Sequence, residues 1–318
     1  MKQLYRKHCR QEPTIPLFSQ AWWLDAVCGE DRWDVCLVEN DGQVIATMPY
    51  FIRHKKGLKM LVQPPLTQSL GPWISKSNAK YAKRLSREKD LMGQLISQLP
   101  KYDFFKQSWH YSNQNWIPFF WKGFSQTTRY TYVIDGLKDL DQVLNDFSSS
   151  YRNKIRKADK VVVIERNMDL EVFYKLNTMT FERQGLSTPY SFEFLSQQDK
   201  ALAERNAREI FYAIDDDGAV HSALYLIWDG MSSYLHLVGE DPALRKSGAG
   251  IRLIWEAIKF TSQELGLDRL DFEGSMIEGV EQVRRDCGAR QKAYFTLMRT
   301  PSLLMQSGMF VKGLLRRG

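Results

Sequence analysis

Six consecutive residues, Arg245-Lys246-Ser247-Gly248-Ala249-Gly250, have the composition of an anion cradle. An apolar, β-rich run ending at Val238-Gly239 precedes them, with Glu240 to Ser247 as the connecting loop. A run with Leu253, Ile254, Ala257, Ile258 and Thr261 at helical spacing follows, from about Ile251 to Leu265. Gly266 fits the end of that helix, and Asp268 to Phe272 reads as the next strand. Glycine lets the backbone approach an anion closely and adopt positive φ. The N–H groups and positive end of the helix then hold phosphate oxygens, and Arg245 adds a charged donor. The segment is not a Walker A loop, because no Gly-Lys-Ser/Thr follows. It is not Gly-x-Gly-x-x-Gly either, because Leu253 stands at the third position.

Two residues near this unit could move protons. On the strand Arg269 to Glu273, Asp271 and Glu273 share one face and Leu270 and Phe272 the other, by the period of two. Glu273 ends the strand beside Gly274, where it can face a cleft as a base; a solvated or capping carboxylate is the alternative. His236, in the strand leading to the loop, has the titration range of a proton shuttle, or is a hydrogen-bonded structural residue.

The elements that must position these groups alternate between strand and helix. Trp33 to Glu39, Val44 to Arg53 and Leu58 to Val62 read as strands, with turns at Asn40-Asp41-Gly42 and Lys55-Lys56-Gly57. Residues 78–98 read as a helix, and Tyr102 to Trp109 and Tyr130 to Ile134 as strands. Glu209 to Ile214, Val220 to Trp228 and Ser233 to Val238 repeat the plan, with turns at Asp217-Gly218 and Asp229-Gly230. The recurrence suggests one α/β domain used twice. Ser148-Ser149-Ser150 can cap a helix starting near Tyr151. It carries Arg152, Lys154, Arg156, Lys157 and Lys160, either a phosphate-binding face or a solvated one.

With 318 residues, 43% hydrophobic and 25% charged, the chain has the composition of a globular protein of two domains. The net charge of +7 favours anionic partners without choosing among them. Cys9, Cys28, Cys36 and Cys287 form no C-x-x-C, so neither a zinc site nor a disulfide framework is expected. No signal-peptide pattern or membrane-spanning run is present, which gives a cytoplasmic expectation. Residues 302–318 read as amphipathic, to be packed back onto the first domain or, alternatively, rested on the inner face of an anionic membrane.

Arg245, Gly248 and Gly250 with their flanking strand and helix resemble the pyrophosphate-binding motif of GNAT acyltransferases, [QR]-x-x-G-x-[GA]. A wider similarity, from about residue 10 to 298, is to FemAB-like proteins of cell-envelope and polysaccharide biosynthesis. It rests on 149–158 (Ser-Ser-Tyr-Arg-Asn-Lys-Ile-Arg-Lys-Ala), Phe181-Glu182-Arg183-Gln184-Gly185, 271–276, and 279–294 with Cys287-Gly288-Ala289. The resemblance implies two tandem GNAT-like domains of α/β class with a mixed sheet. The expected division is 1–136 as a degenerate, acceptor-side domain, 137–298 as the transferase domain, and 299–318 as a C-terminal helix. The region of the first half equivalent to the loop, 63–72, carries Pro64, Pro65 and Pro72, and proline removes N–H donors, so a second cofactor is not expected there.

The same resemblance implies acyl transfer to an amine, which needs a base for the amine and an acid for the leaving group. Glu273 and His236 are the candidates, with Tyr294 as acid to a leaving thiolate or as core. Arg183 and Gln184 are carried over as acceptor-binding, beside Arg152 and Arg156 of the basic helix. The expected donor is acetyl-coenzyme A or another acyl-coenzyme A, held by 245–250 without a metal. The expected acceptor is an amino sugar or a lipid- or nucleotide-linked glycan precursor. FemAB enzymes proper use aminoacyl-tRNA and generally do not need an intact coenzyme A loop. Aminoacyl transfer from tRNA is therefore the alternative, and a non-catalytic scaffold the third reading.

Overall fold

The computed structural model describes residues 1–274, 276–303, 305 and 306. Most of the segment 302–318 lies outside the described residues. The chain forms two compact units, residues 1–129 with 293–318 and residues 130–292.

The first unit opens with α1 (Lys2–Gln11) and α2 (Ala21–Cys28) and then builds its sheet. β1 (Trp33–Asn40) and β2 (Gln43–Lys55) form a hairpin around Asp41-Gly42, both at positive φ as the turn demands. β3 (Leu58–Val62) pairs antiparallel with β2, and the short β4 (Trp73–Ile74) also lies on β2. α3 (Tyr81–Ser97) then crosses over to β5 (Phe104–Ser108), which is parallel to β3. A parallel pair requires such a crossover. Leu91, Met92, Leu95 and Ile96 of α3 bury against Cys36, Met48 and Phe105 of the sheet. The one-turn helix α4 (Ile117–Phe120) packs beside α3 and precedes β6 (Ser125–Asp135), whose residues from 130 onward belong to the second unit.

The second unit repeats the arrangement. After α5 (Leu140–Asp146) and α6 (Ser149–Ala158) come β7 (Val163–Glu165), α7 (Leu170–Glu182) and α8 (Phe192–Ala203). The Ser148 hydroxyl accepts from the Tyr151 N–H, the cap that the serine run suggests. β8 (Arg208–Ile214), β9 (Val220–Trp228) and β10 (Ser233–Glu240) form an antiparallel meander. α9 (Ala249–Gln263) crosses over to β11 (Arg269–Asp271), parallel to β10. Leu253, Ile254, Ala257 and Ile258 of α9 share a core with Phe211, Leu224 and Leu226. α10 (Glu278–Asp286) and β12 (Arg290–Arg299) complete the regular elements.

In strand order, β1-β2-β3-β5-β12 of the first unit matches β8-β9-β10-β11-β6 of the second. In both the pairings run antiparallel, antiparallel, parallel, antiparallel. The duplicated plan therefore holds for these five strands of each unit, with β4 and β7 as additions to one unit each. The closing strands are exchanged: β6, which follows β5 in sequence, pairs with β11, whereas β12 pairs with β5. This exchange is why the compact units divide at 129 and 292, where the linear reading divided at 136 and 298. Among the described residues, no helix is long and apolar enough to cross a membrane.

Gly71 shows how tightly the first unit is packed. Its φ is +109°, and an added Cβ would lie 2.7 Å from Cδ1 of the fully buried Trp109. Gly42, at φ +75°, has nothing within 4 Å of such an atom. Gly71→Ala is expected to lower the urea midpoint by an amount equivalent to about 1–3 kcal/mol from overpacking, in addition to backbone strain. Gly42→Ala should cost about 1–2 kcal/mol, from the backbone alone. Equal midpoints for the two variants would contradict this packing.

Candidate active site

The loop that joins β10 to α9 is shaped by two close approaches. At Gly248, in the left-handed region at φ +83°, an added Cβ would sit 2.8 Å from the carbonyl oxygen of Lys154 on α6. At Gly250 it would meet Glu240 Oε1 at 3.4 Å and Ser222 Oγ at 3.7 Å. Glycine at 248 lets the chain turn under α6, and at 250 it leaves room beside the first turn of α9. The Ser247 hydroxyl donates to Leu244 O at 2.9 Å and accepts from Ala249 N–H at 3.3 Å, fixing the turn. Lys157 Nζ donates to Lys246 O at 2.9 Å, tying α6 to the loop. A cradle that a Cβ would fill, ahead of a helix N-terminus, fits a phosphate group.

A cavity of about 830 Å³ opens in front of this loop. Leu224, Leu235, Phe272, Val280 and Val283 form part of an apolar wall, and Lys154, Arg183, Arg245, Lys246 and Arg284 supply cations. Glu240 is the counter-charge among them. It accepts from Arg245 Nε at 2.5 Å and stands 3.9 Å from Arg183 Nη1. Arg183 and Gln184 thus line the same cavity as the loop. Arg152 does not: its guanidinium donates to the carbonyls of Asn145 (2.8 Å) and Phe147, clamping the α5–α6 junction. Arg156 is exposed on α6 and donates to Asn153 Oδ1 at 3.2 Å.

The cavity exists because two parallel strands part. β11 accompanies β10 only at Ser233 and Tyr234. Beyond that point α7 takes over. Asn177 Nδ2 donates to Val238 O at 2.7 Å, and Glu240 N–H donates to Thr180 Oγ1 at 3.0 Å. Gly239 permits the contact, since an added Cβ there would lie 2.8 Å from Asn177 N. Two of the backbone groups that β11 leaves behind, Val238 O and Glu240 N–H, are thus paired by α7.

At the parting point the structure joins the two proton-handling candidates. His236 sits where the register of β10 against β9 shifts, and its Nδ1 lies 2.7 Å from Glu273 Oε1. Its Nε2 lies 2.8 Å from the Gln198 amide nitrogen of α8. With Nδ1 donating to the carboxylate, Nε2 is free to accept from the amide. Both ring nitrogens are engaged and the imidazole is 1% exposed, whereas the Glu273 carboxylate is 14% exposed. Glu273 is therefore the accessible end of the pair and His236 its support. Neither lines the cavity, although Phe272, next to Glu273, does. Tyr294 belongs to β12 of the first unit and is buried there.

Asp271 holds Glu273 in place, a role that strand alternation does not reveal. Its Oδ1 accepts from Thr131 Oγ1 at 2.6 Å and from Glu273 N–H at 2.8 Å. That turn sets Glu273 at φ +56°, an uncommon conformation for a side-chain-bearing residue. Ser275, within the 271–276 motif, lies outside the described residues. Among the described residues no group of three or more His, Cys, Asp or Glu is placed to hold a metal ion.

Burial pushes the Asp271 carboxyl up to about 6. The folded state thus binds this proton more tightly than the unfolded chain does. The resulting stabilisation is complete below about pH 4 and is lost as pH rises to about 6. Both hydrogen bonds fall on Oδ1, so Asp271→Asn can keep them. The variant is expected to gain stability over the parent across that window, by up to about 3 kcal/mol at pH 7. Denaturation at a series of pH values checks this; a parent–variant difference that does not change with pH would contradict it.

Comparison with known proteins agrees with this architecture. The Acetyltransferase (GNAT) domain family matches residues 145–282, a stretch that contains α6, α7, the loop and Glu273. No curated protein sequence matches the chain. Among solved structures, the chain is similar to FemX with a TM-score of 0.67 at 15% identity, over 93% of this chain and 95% of that one. It is similar to L-PGS from Bacillus licheniformis with a TM-score of 0.56 at 10% identity, over 97% and 95%. A tandem GNAT protein from the clavulanic acid biosynthesis pathway gives 0.50 at 10% identity, over 93% and 92%. At these identities the likeness is one of fold. The chain thus contains an Acetyltransferase (GNAT) domain over residues 145–282, the part that carries the cradle, within a fold similar to that of FemX and of a tandem GNAT protein.

Proposed function

We propose that the protein transfers an aminoacyl group from a charged tRNA to an amine of a cell-envelope glycan precursor. The observation that carries this reading is the length of the cationic track. Lys154, Arg183, Arg245, Lys246 and Arg284 line the cavity, and Arg156, Lys157 and Lys160 continue along and just beyond α6. One pyrophosphate engages one or two such side chains, whereas a polynucleotide engages a row. The FemX-like fold supports the same reading. In this scheme Glu273 accepts a proton from the attacking ammonium, and the amine nitrogen bonds to the acyl carbon. The ester bond to the carrier then breaks, and its oxygen takes up a proton. His236 and Gln198 hold Glu273 in register.

A second reading is favoured by the cradle itself. The clearance at Gly248 and Gly250, with Arg245 beside them, fits the pyrophosphate of an acyl-coenzyme A, and the apolar wall fits its pantetheine arm. The acceptor would then be an amino sugar or a related glycan amine receiving an acetyl or other acyl group.

Two measurements on the intact chain separate the donors. tRNA binding should weaken steeply with salt, and Lys154→Ala and Lys246→Ala should each reduce the slope by about 1. Coenzyme A in hundredfold excess over its dissociation constant would stabilise by about 3 kcal/mol if it were the donor carrier. A coenzyme A shift without salt-dependent tRNA binding would replace the first reading by the second.

Glu273→Gln is expected to lower kcat about 10²- to 10⁴-fold with little change in Tm. Undiminished turnover in this variant would remove Glu273 from the mechanism under either donor. Gly248→Ala should abolish donor binding, because its Cβ meets the Lys154 carbonyl. Retained affinity would show that the donor does not use the cradle.

A further inference from the structure

The first unit carries an exposed apolar cluster with no part in the site described above. α4 and the residue after it present Ile117, Phe120 and Trp121 to solvent, at 50%, 60% and 62% exposure. Large apolar side chains scattered singly need no explanation, but three within five residues on one turn form a patch. The neighbouring helix extends it. Asn115 Nδ2 donates to Glu88 Oε2 at 3.2 Å, and Trp121 and Lys122 border the same shallow recess as Lys89, Gly93 and Gln94 of α3. On α3, the i, i+4 stripe of Tyr81, Leu85, Lys89 and Gly93 therefore runs toward α4. Tyr81 and Leu85 are exposed as well, at 68% and 38%.

The charges around this patch have one dominant sign. Lys89 of α3 and Lys122 just after α4 border the recess, Arg84 lies on α3, and Lys80 and Lys76 precede that helix, all exposed; Lys83 lies on the other side of α3, beside Asn40 and Ile45. The acidic residues there are Glu88, which accepts from Asn115, and Asp90, 3.6 Å from Lys89. Arg84 lies over the Tyr81 ring, with 5.7 Å to the centroid, so aromatic and cation share one side. An apolar and aromatic wedge ringed by lysines has the chemistry of an anionic lipid surface. The rings and the isoleucine enter at headgroup depth while the cations meet phosphates. In the duplicated plan, α3 is the counterpart of α9. In the first unit, however, this helix begins at Lys80-Tyr81, without the glycines of the second-unit loop.

We propose that the α3–α4 face of the first unit is a peripheral docking surface for an anionic membrane. The proposal is independent of which donor the second unit takes.

Flotation of the full chain with vesicles of phosphatidylcholine, with and without 30% phosphatidylglycerol, tests it. Binding is expected to the anionic vesicles, and to be at least tenfold weaker to the neutral ones and in 0.5 M salt. The triple variant Ile117→Ser, Phe120→Ser, Trp121→Ser, with its Tm retained, should lose at least tenfold. So should Lys80→Glu with Lys89→Glu and Lys122→Glu, which leaves the apolar wedge intact. The proposal is overturned if anionic vesicles do not bind the parent chain, or if the triple serine variant binds as the parent does. It is overturned equally if binding is lost only on removal of residues 307–318. Concentration-dependent self-association abolished by the serine variant, without vesicle binding, would assign the face to a second copy of the chain instead.

Discussion

The second unit depends on where two parallel strands stop pairing. β10 and β11 stay together for two residues and then diverge. If they stayed in register to their ends, their backbone groups would pair, Phe272 would close on Leu235, and the space in front of the loop would be filled. Parting them exposes backbone polar groups, which is tolerable only if something else pairs them. The α7 side chains Asn177 and Thr180 do so, and Gly239 admits their backbone at the required distance. The cradle, the cavity and the His236–Glu273 pair all lie at or beyond the parting point.

Charge is balanced locally in this site rather than excluded from it. Glu240 stands among five cations at the cradle, with Arg245 and Arg183 as its nearest partners. A phosphate entering the cradle would have to compete with this carboxylate for Arg245. Asp271 shows a different balance. It is buried, accepts two hydrogen bonds on one oxygen, and fixes the backbone on which Glu273 is carried.

How much of this can be read along the chain depends on how local the cause is. The loop 245–250 is legible because its glycines, its preceding strand and its following helix are consecutive, and the clearances at Gly248 and Gly250 give both glycines a reason. The meander strands and the Ser148 cap are legible for the same reason. The His236–Glu273 pair joins residues 37 positions apart through parallel pairing and a register shift, and residue type marks them as candidates but not as partners. Gln198 arrives on a helix with no prior signal. Arg152 is indistinguishable from its basic neighbours in sequence, because charge pattern does not show a guanidinium bonded to two carbonyls of its own chain. The division into units is hidden by topology: a linear reading assigns each strand to the half in which it is encoded.

The exchanged closing strands also fix an order of events during synthesis. A domain encoded without interruption can complete its sheet as soon as its last strand leaves the ribosome. Here β5, near residue 106, waits for β12, near residue 295, so the first unit keeps an open sheet edge throughout translation of the second. The second unit has all of its strands, including β6, once residue 271 has emerged. The half encoded last is thus the first that can close, and the half encoded first remains exposed to mispairing for most of the time the chain is being made.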